Sequence, residues 1–210
     1  MRYFSIMWDD GLATDLKVME IARKYNLTSN FALSFARHSN VRIANDARGD
    51  YGELVSLSEL RHFSDFEISN HTANHTELTS VSIEAAQAEI DEGQKGLQDF
   101  FGREIRGFCY PYGQYNSSIV ALLKDRNYLY ARTTKRSDNF NPLMLNPTCK
   151  WHESSEDQFV VLWGHSYEIE NWQKLDELYR NLSQDDQIKV IAFDDMVRRK
   201  HESNSRVRIL

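Results

Sequence analysis

Four short stretches of this chain combine carboxylates, imidazoles and tight turns in ways that hydrolytic chemistry uses. The first is Trp8-Asp9-Asp10-Gly11, where an opening apolar run ends. Adjacent carboxylates repel unless a cation or a shared proton relieves them. Alone the triplet reads as a turn, since Asp and Gly dominate turns for backbone reasons. The second is His71-Thr72-Ala73-Asn74-His75. Histidines four apart share one face of a helical turn, a spacing that suits one metal ion and, equally, a solvated helix surface. Joined by a carboxylate from the first stretch they form an Asp, His, His set that leaves positions open for water and substrate.

The third stretch, Phe108-Cys109-Tyr110-Pro111-Tyr112-Gly113, ends another β-like run. Proline fixes the turn and glycine permits close backbone approach, so amide N–H groups here can face a ligand; an ordinary strand-to-helix turn has the same composition. The fourth, Val160 to Glu168, is an apolar run that delivers His165 at its end. A lone histidine there is as often structural as chemical.

The elements that must position these residues alternate between short β-rich runs and helical patterns. Strands are expected at Tyr3–Trp8, Asn30–Phe35, Phe66–Asn70, Gly107–Tyr110, Tyr128–Thr133, Phe159–Trp163 and Ile188–Phe193. Helices are expected at Asp15–Tyr25 and at Ser82–Phe101, where Ser82 caps the first turn and Ile83, Ala86, Ile90, Leu97 and Phe101 share a face. Strands joined by crossover helices imply an α/β fold with a mainly parallel sheet, either barrel or open. Ligand sites in such sheets lie at the C-terminal strand ends, where all four stretches fall. Ser137 to Lys150 is the longest turn-rich stretch and is expected to be a surface loop.

A chain of 210 residues suits one domain, taken as 1–210, and 41% hydrophobic with 27% charged residues is globular rather than disordered chemistry. A net charge of -6 argues against a nucleic-acid partner, which needs clustered cations. Arg198, Arg199 and Lys200 are read as a solvated helix end. No membrane span, secretory leader or disulfide framework is recognisable, Cys109 and Cys149 being the only cysteines, so the cytoplasm is the expected location.

Taken together and in order, the four stretches resemble the motifs of the polysaccharide deacetylase family, the NodB-homology domain of carbohydrate esterases. The family's T-F-D-D-G is Met7 to Gly11 here, its H-[ST]-x-x-H is His71 to His75, its R-x-P-Y-G is Cys109 to Gly113, and its L-x-H is Trp163-Gly164-His165. The resemblance spans about residues 3 to 200. It implies a distorted (β/α) barrel, seven-stranded and mostly parallel. It also implies one divalent metal held by Asp10, His71 and His75, with Asp9 as base, His165 as acid and the Tyr112 N–H as oxyanion donor. Zinc suits the mixed carboxylate and imidazole set first, with cobalt, nickel or iron also compatible.

Two departures accompany the resemblance. The family arginine that orients the base falls at Cys109, which supplies no charge-assisted hydrogen bond. Lys150 and Arg132 are the replacements that sequence order suggests. The motif that supports the acid histidine is not recognisable around Arg132 to Asn141. The implied reaction is hydrolysis of an N-acyl group on an amino sugar, nucleotide- or lipid-linked, in surface polysaccharide biosynthesis or modification. The alternatives are a metal-dependent amidase or deformylase acting on a non-sugar C–N bond, and a non-catalytic carbohydrate-binding relative. Trp8, Tyr110, Tyr112, Trp151, Trp163 and Tyr167 are the aromatics near strand ends; sugar stacking and core packing compete for them, with core expected for at least half.

Overall fold

A computed structural model describes residues 1–40, 43–46, 49–135 and 140–207. Strand β1 (Arg2–Asp9) is the centre of the sheet, and its alternation places Met7 and Asp9 on one side and Ile6 and Trp8 on the other. Going outward on one side come β2 (Asn30–Leu33), β5 (Glu67–Asn70), β6 (Gly107–Cys109) and β7 (Tyr130–Arg132); on the other come β9 (Phe159–Gly164) and β8 (Cys149–Lys150). These seven strands pair in parallel throughout, and β10 (Ile188–Val190) adds a further parallel pairing to the first half of β1. The sheet curls into an incomplete barrel. Its terminal strands β7 and β8 are not paired with each other among the described residues, and Leu145 lies beside β7 through a bridge to Arg132.

Helices α1 (Asp15–Lys24), α3 (Ile83–Phe101), α4 (Ser117–Asp125), α5 (Trp172–Gln184) and α6 (Phe193–Val207) supply the crossovers and outer layer. The largest core cluster unites Phe4, Ile6 and Trp8 of β1 with Val18 and Met19 of α1 and Leu175 and Tyr179 of α5. Ser82 caps α3 as expected, its Oγ accepting from Ala85 N at 3.3 Å, and Gly102 closes that helix in the left-handed conformation.

Three expectations need correction. Phe35 opens a short helix, α2 (Phe35–Asn40), rather than ending β2, and Phe193 opens α6 rather than ending β10. In both places a phenylalanine follows the strand because the next helix packs its first residue inward, Phe35 partly and Phe193 fully buried. The expected loop Ser137 to Lys150, whose residues 137–139 lie outside the described part, ends in β8. A hairpin of β3 (Ile43–Asp46) and β4 (Gly49–Glu53), absent from the expected elements, stands beside the β1 exit, where Ala13 N donates to Glu53 O and Val55 N to Gly11 O.

Candidate active site

All six residues singled out from sequence line one cavity of about 260 Å³: Asp9, Asp10, His71, His75, Tyr112 and His165. Tyr110, Thr134 and Trp163 complete it. Larger surface cavities, of about 380, 560 and 590 Å³, lie elsewhere, but none of these three gathers more than one histidine, whereas this one gathers three with two aspartates. The site sits at the C-terminal ends of β1, β5, β6, β7 and β9, as parallel topology requires.

Backbone strain is concentrated here. Among the described residues, six other than glycine have positive φ, and four of them, Asp10, Thr72, His75 and Tyr112, belong to the site; Thr72 and Tyr112 are of types that rarely adopt this conformation, whereas Asp, His and Asn tolerate it. The strain corrects the expected helical turn between His71 and His75. That segment is irregular, and left-handed residues at Thr72 (φ 64°) and His75 (φ 61°) bring the two imidazoles together, with ring centroids 4.6 Å apart. Thr72 steadies the loop by accepting from Thr76 N through its Oγ1 at 3.0 Å. Gly11, at φ 72°, is required because a Cβ there would come within 2.5 Å of His38 Cε1.

The residues fit a divalent cation. Asp10 Oδ1 is buried without a hydrogen-bond donor, and lies 3.6 Å from His71 Nε2 and 3.4 Å from His75 Nε2. Tetrahedral ligands at 2.0–2.2 Å from a common ion are separated by roughly 3.3–3.6 Å, so these two separations are compatible with a shared ion. His71 Nδ1 donates to Cys109 O at 2.7 Å, which leaves Nε2 as its free donor atom. Burial and the neighbouring His71 hold His75 down to about 3, keeping it neutral as a ligand must be. For His71, burial is outweighed by Cys109 and Asp10 and its pKa stands above the ordinary value, so a cation bound at Nε2 would have to displace a proton there. Asp10 is lowered, since the three histidines around it outweigh its burial.

Asp9 is buried beside the metal set, and its partner answers the question raised by Cys109. Arg132 Nη2 forms an ion pair with Asp9 Oδ2. Arg132 is 1% exposed, is packed 4.7 Å from the Trp163 ring, and donates to Cys109 Sγ at 2.7 Å and Thr133 O at 3.0 Å. Cys109 and Arg132 are register partners on β6 and β7, so both side chains address the same carboxylate. Asp9, His71 and Cys109 also form a cluster of metal-ligating types, but the guanidinium already fills its cationic role. Of the two replacements suggested by sequence order, Arg132 takes the position; Lys150 pairs with Glu168 at 2.9 Å instead.

His165 Nε2 lies 3.8 Å from both Asp9 Oδ2 and Asp10 Oδ2, across the cavity from the β5 histidines. Sequence reasoning missed Glu168, three residues on, whose Oε1 is 3.5 Å from His165 Nδ1; that spacing within a turn was the available signal. It also missed Asp15, which accepts from Leu12 N at 2.9 Å and from Ser166 Oγ, tying the β1 exit to the His165 turn. Burial pushes the Asp15 carboxyl up to about 8. Trp8, Tyr110 and Trp151 are buried, half of the aromatics considered; Tyr110 also borders the cavity with Trp163 and Tyr112, and Tyr167 is exposed beside His165.

Residues 2–131, more than half of the chain, match the polysaccharide deacetylase family model, and the chain belongs to that family. No curated protein matches the sequence. Among solved structures, the Streptococcus pyogenes deacetylase PplD in complex with acetate is 18% identical, with a TM-score of 0.58 over 68% of this chain and 62% of that one, so this chain spans under two thirds of its length. A family 4 carbohydrate esterase from Streptomyces lividans in complex with acetate is 13% identical, with a TM-score of 0.64 over 90% of this chain and 91% of that one. A BA3943 mutant described as a family 4 pseudoenzyme is 12% identical, with a TM-score of 0.65 over 93% of this chain and 67% of that one. At such identities these likenesses establish the fold, a curled parallel α/β half-barrel. Among the described residues no helix is long and apolar enough to cross a membrane.

Proposed function

We propose that this chain is a metal-dependent hydrolase that removes an acetyl or similar acyl group from the nitrogen of an amino sugar, in the synthesis or modification of a surface polysaccharide. The observation that carries the reading is the Asp10, His71, His75 set with metal spacing, open on the side where Asp9 and His165 face one cavity. Bound there, a divalent cation, zinc by first preference, would polarise the amide carbonyl and acidify water.

The remaining roles belong to side chains. Asp9, held by Arg132, takes the proton of the attacking water. Its carboxylate is fixed through one oxygen by the guanidinium, and the other oxygen faces the Cys109 thiol at 3.8 Å. His165, opposite, gives a proton to the departing amine, which leaves poorly as an anion. The N–H of Tyr112, in a left-handed turn whose ring packs 4.8 Å from His75, is assigned to the developing oxyanion. The cavity is below the roughly 300–1,000 Å³ of ordinary ligand pockets, so it suits an acylamino group and part of one ring.

The test is metal analysis of the purified protein together with acetate and formate release from a panel of acylamino sugars and non-sugar amides. Stoichiometric metal and acyl release from discrete amino sugars, nucleotide- or lipid-linked ones included, faster than from chitin oligomers is the expected result. A clear preference for long N-acetylglucosamine oligomers would return the enzyme to polymer substrates, and release only from non-sugar amides would refute the sugar assignment.

A further inference from the structure

We propose that Glu168, anchored by Lys150, is the positioning residue of His165, holding a proton on Nδ1 and aiming Nε2 into the cavity; this rests on the acid role given to His165 above. The two imidazole nitrogens face opposite carboxylate groups. Nε2 is 3.8 Å from Asp9 and Asp10, while Nδ1 is 3.5 Å from Glu168 Oε1. His165 Nδ1 and Glu168 Oε2 are both buried without hydrogen-bond partners, so a small turn of the carboxylate would satisfy each with the other. Which ring nitrogen carries the proton is set by what the other side of the ring meets, and here an acceptor meets Nδ1.

Glu168 is itself restrained. Lys150 Nζ donates to its Oε1 at 2.9 Å, and Lys150 is in register with Trp163 across β8 and β9, its Nζ 5.4 Å from that ring. The turn Ser166–Glu168 brings the carboxylate back beneath His165, whose ring is flanked by Trp163 and Tyr167. Glu168 is held down to about 2, its burial outweighed by His165 and Lys150. A partly exposed lysine–glutamate pair adds little to stability. Its removal therefore leaves the fold and metal set in place, and any large effect must pass through His165.

Glu168→Gln and Lys150→Met are compared with wild type as zinc-loaded proteins, with metal content and melting measured first. Two substrates are used, an acetamido sugar, whose amine must be protonated to leave, and an aryl acetate, whose phenolate need not be. For Glu168→Gln, kcat on the acetamido sugar falls by about tenfold or more, while the aryl acetate rate is little changed; Lys150→Met shows the same pattern more weakly, and Glu168→Asp recovers part of the loss. Independently of turnover, ¹⁵N NMR of the imidazole, assigned with His165→Gln, shows a protonated Nδ1 in wild type and a shift toward the Nε2–H tautomer in Glu168→Gln. Equal losses on both substrates, no loss on either, or an unchanged ¹⁵N pattern each overturn the proposal. Absence of acyl release by the wild type would overturn the functional reading instead, and the NMR comparison would still decide where the Nδ1 proton is held.

Discussion

Replacing Arg132 by Met tests whether the guanidinium serves the Asp9 carboxylate or merely fills space. Both groups are almost wholly inaccessible, with side chains 1% and 4% exposed. Removing one partner of a buried ion pair typically costs roughly 3–5 kcal/mol, because the other charge is left uncompensated. Around Asp9 the Cys109 thiol and His165 Nε2 each lie 3.8 Å away, and neither replaces the permanent charge of the guanidinium. Removing both charges in Asp9→Asn/Arg132→Met abolishes the imbalance. The double variant is therefore more stable than Arg132→Met alone, with a coupling of about 2–3 kcal/mol in the cycle. Packing lost against Trp163 and Met7 is common to the single and double variants and cancels. Urea unfolding of the four metal-free proteins supplies the energies. Additive costs, or a loss below about 1 kcal/mol for Arg132→Met, would refute the reasoning, since a screened surface pair behaves that way.

The other expectations concern metal, chemistry and pH. His71→Ala/His75→Ala abolishes stoichiometric metal binding after dialysis, since it removes two of three donors; retained metal would displace the site. Asp9→Asn keeps the metal and lowers kcat by about 10²–10⁴-fold, the usual weight of a general base; metal loss would make Asp9 a ligand and full activity would make it structural. Asp15, pushed up to about 8, keeps in the folded state a proton that the unfolded chain has released. Stability therefore falls as pH rises from roughly 4 toward 8, by up to ~1.4 kcal/mol per pH unit from this group, and the loss levels off above it. Asp15→Asn removes that slope, so in metal-free thermal melts its stability relative to wild type improves between about pH 5 and pH 8; a constant difference would contradict the assignment.

The placement of the chemistry was legible because parallel topology imposes a strong rule. Every candidate stretch followed an apolar run, and the ends of β1, β5, β6 and β9 do converge. What failed were inferences about local conformation. The His71 to His75 spacing suits a helical turn, yet the imidazoles meet through two left-handed residues, and a β-branched Thr72 at positive φ is not anticipated by any local preference. Such strain persists only where surrounding packing over-determines it, which is tertiary information. The β3–β4 hairpin was missed for a similar reason: its strands include Gly49, Asp50, Gly52 and Asn45, residues that read as turn, and their pairing with each other is what makes them strands.

The loss of the family arginine at Cys109 was the motive for the non-catalytic alternative, and the register of β6 and β7 removes that motive. In a parallel sheet, residues paired in register point the same way, so positions 109 and 132 present side chains to Asp9 from adjacent strands at one level. A cation supplied from either strand meets the same carboxylate. The small thiol at Cys109 admits the guanidinium that a second arginine would crowd out, and Sγ accepts one of its N–H groups. His165 likewise has a flanking carboxylate, Glu168 from its own turn, 3.5 Å from Nδ1. The motif residue is absent from position 109 while a cation still meets Asp9, because the adjacent strand reaches the same point in space. Sequence order placed Arg132 among the candidates, but only strand register separates it from Lys150, which is committed to Glu168.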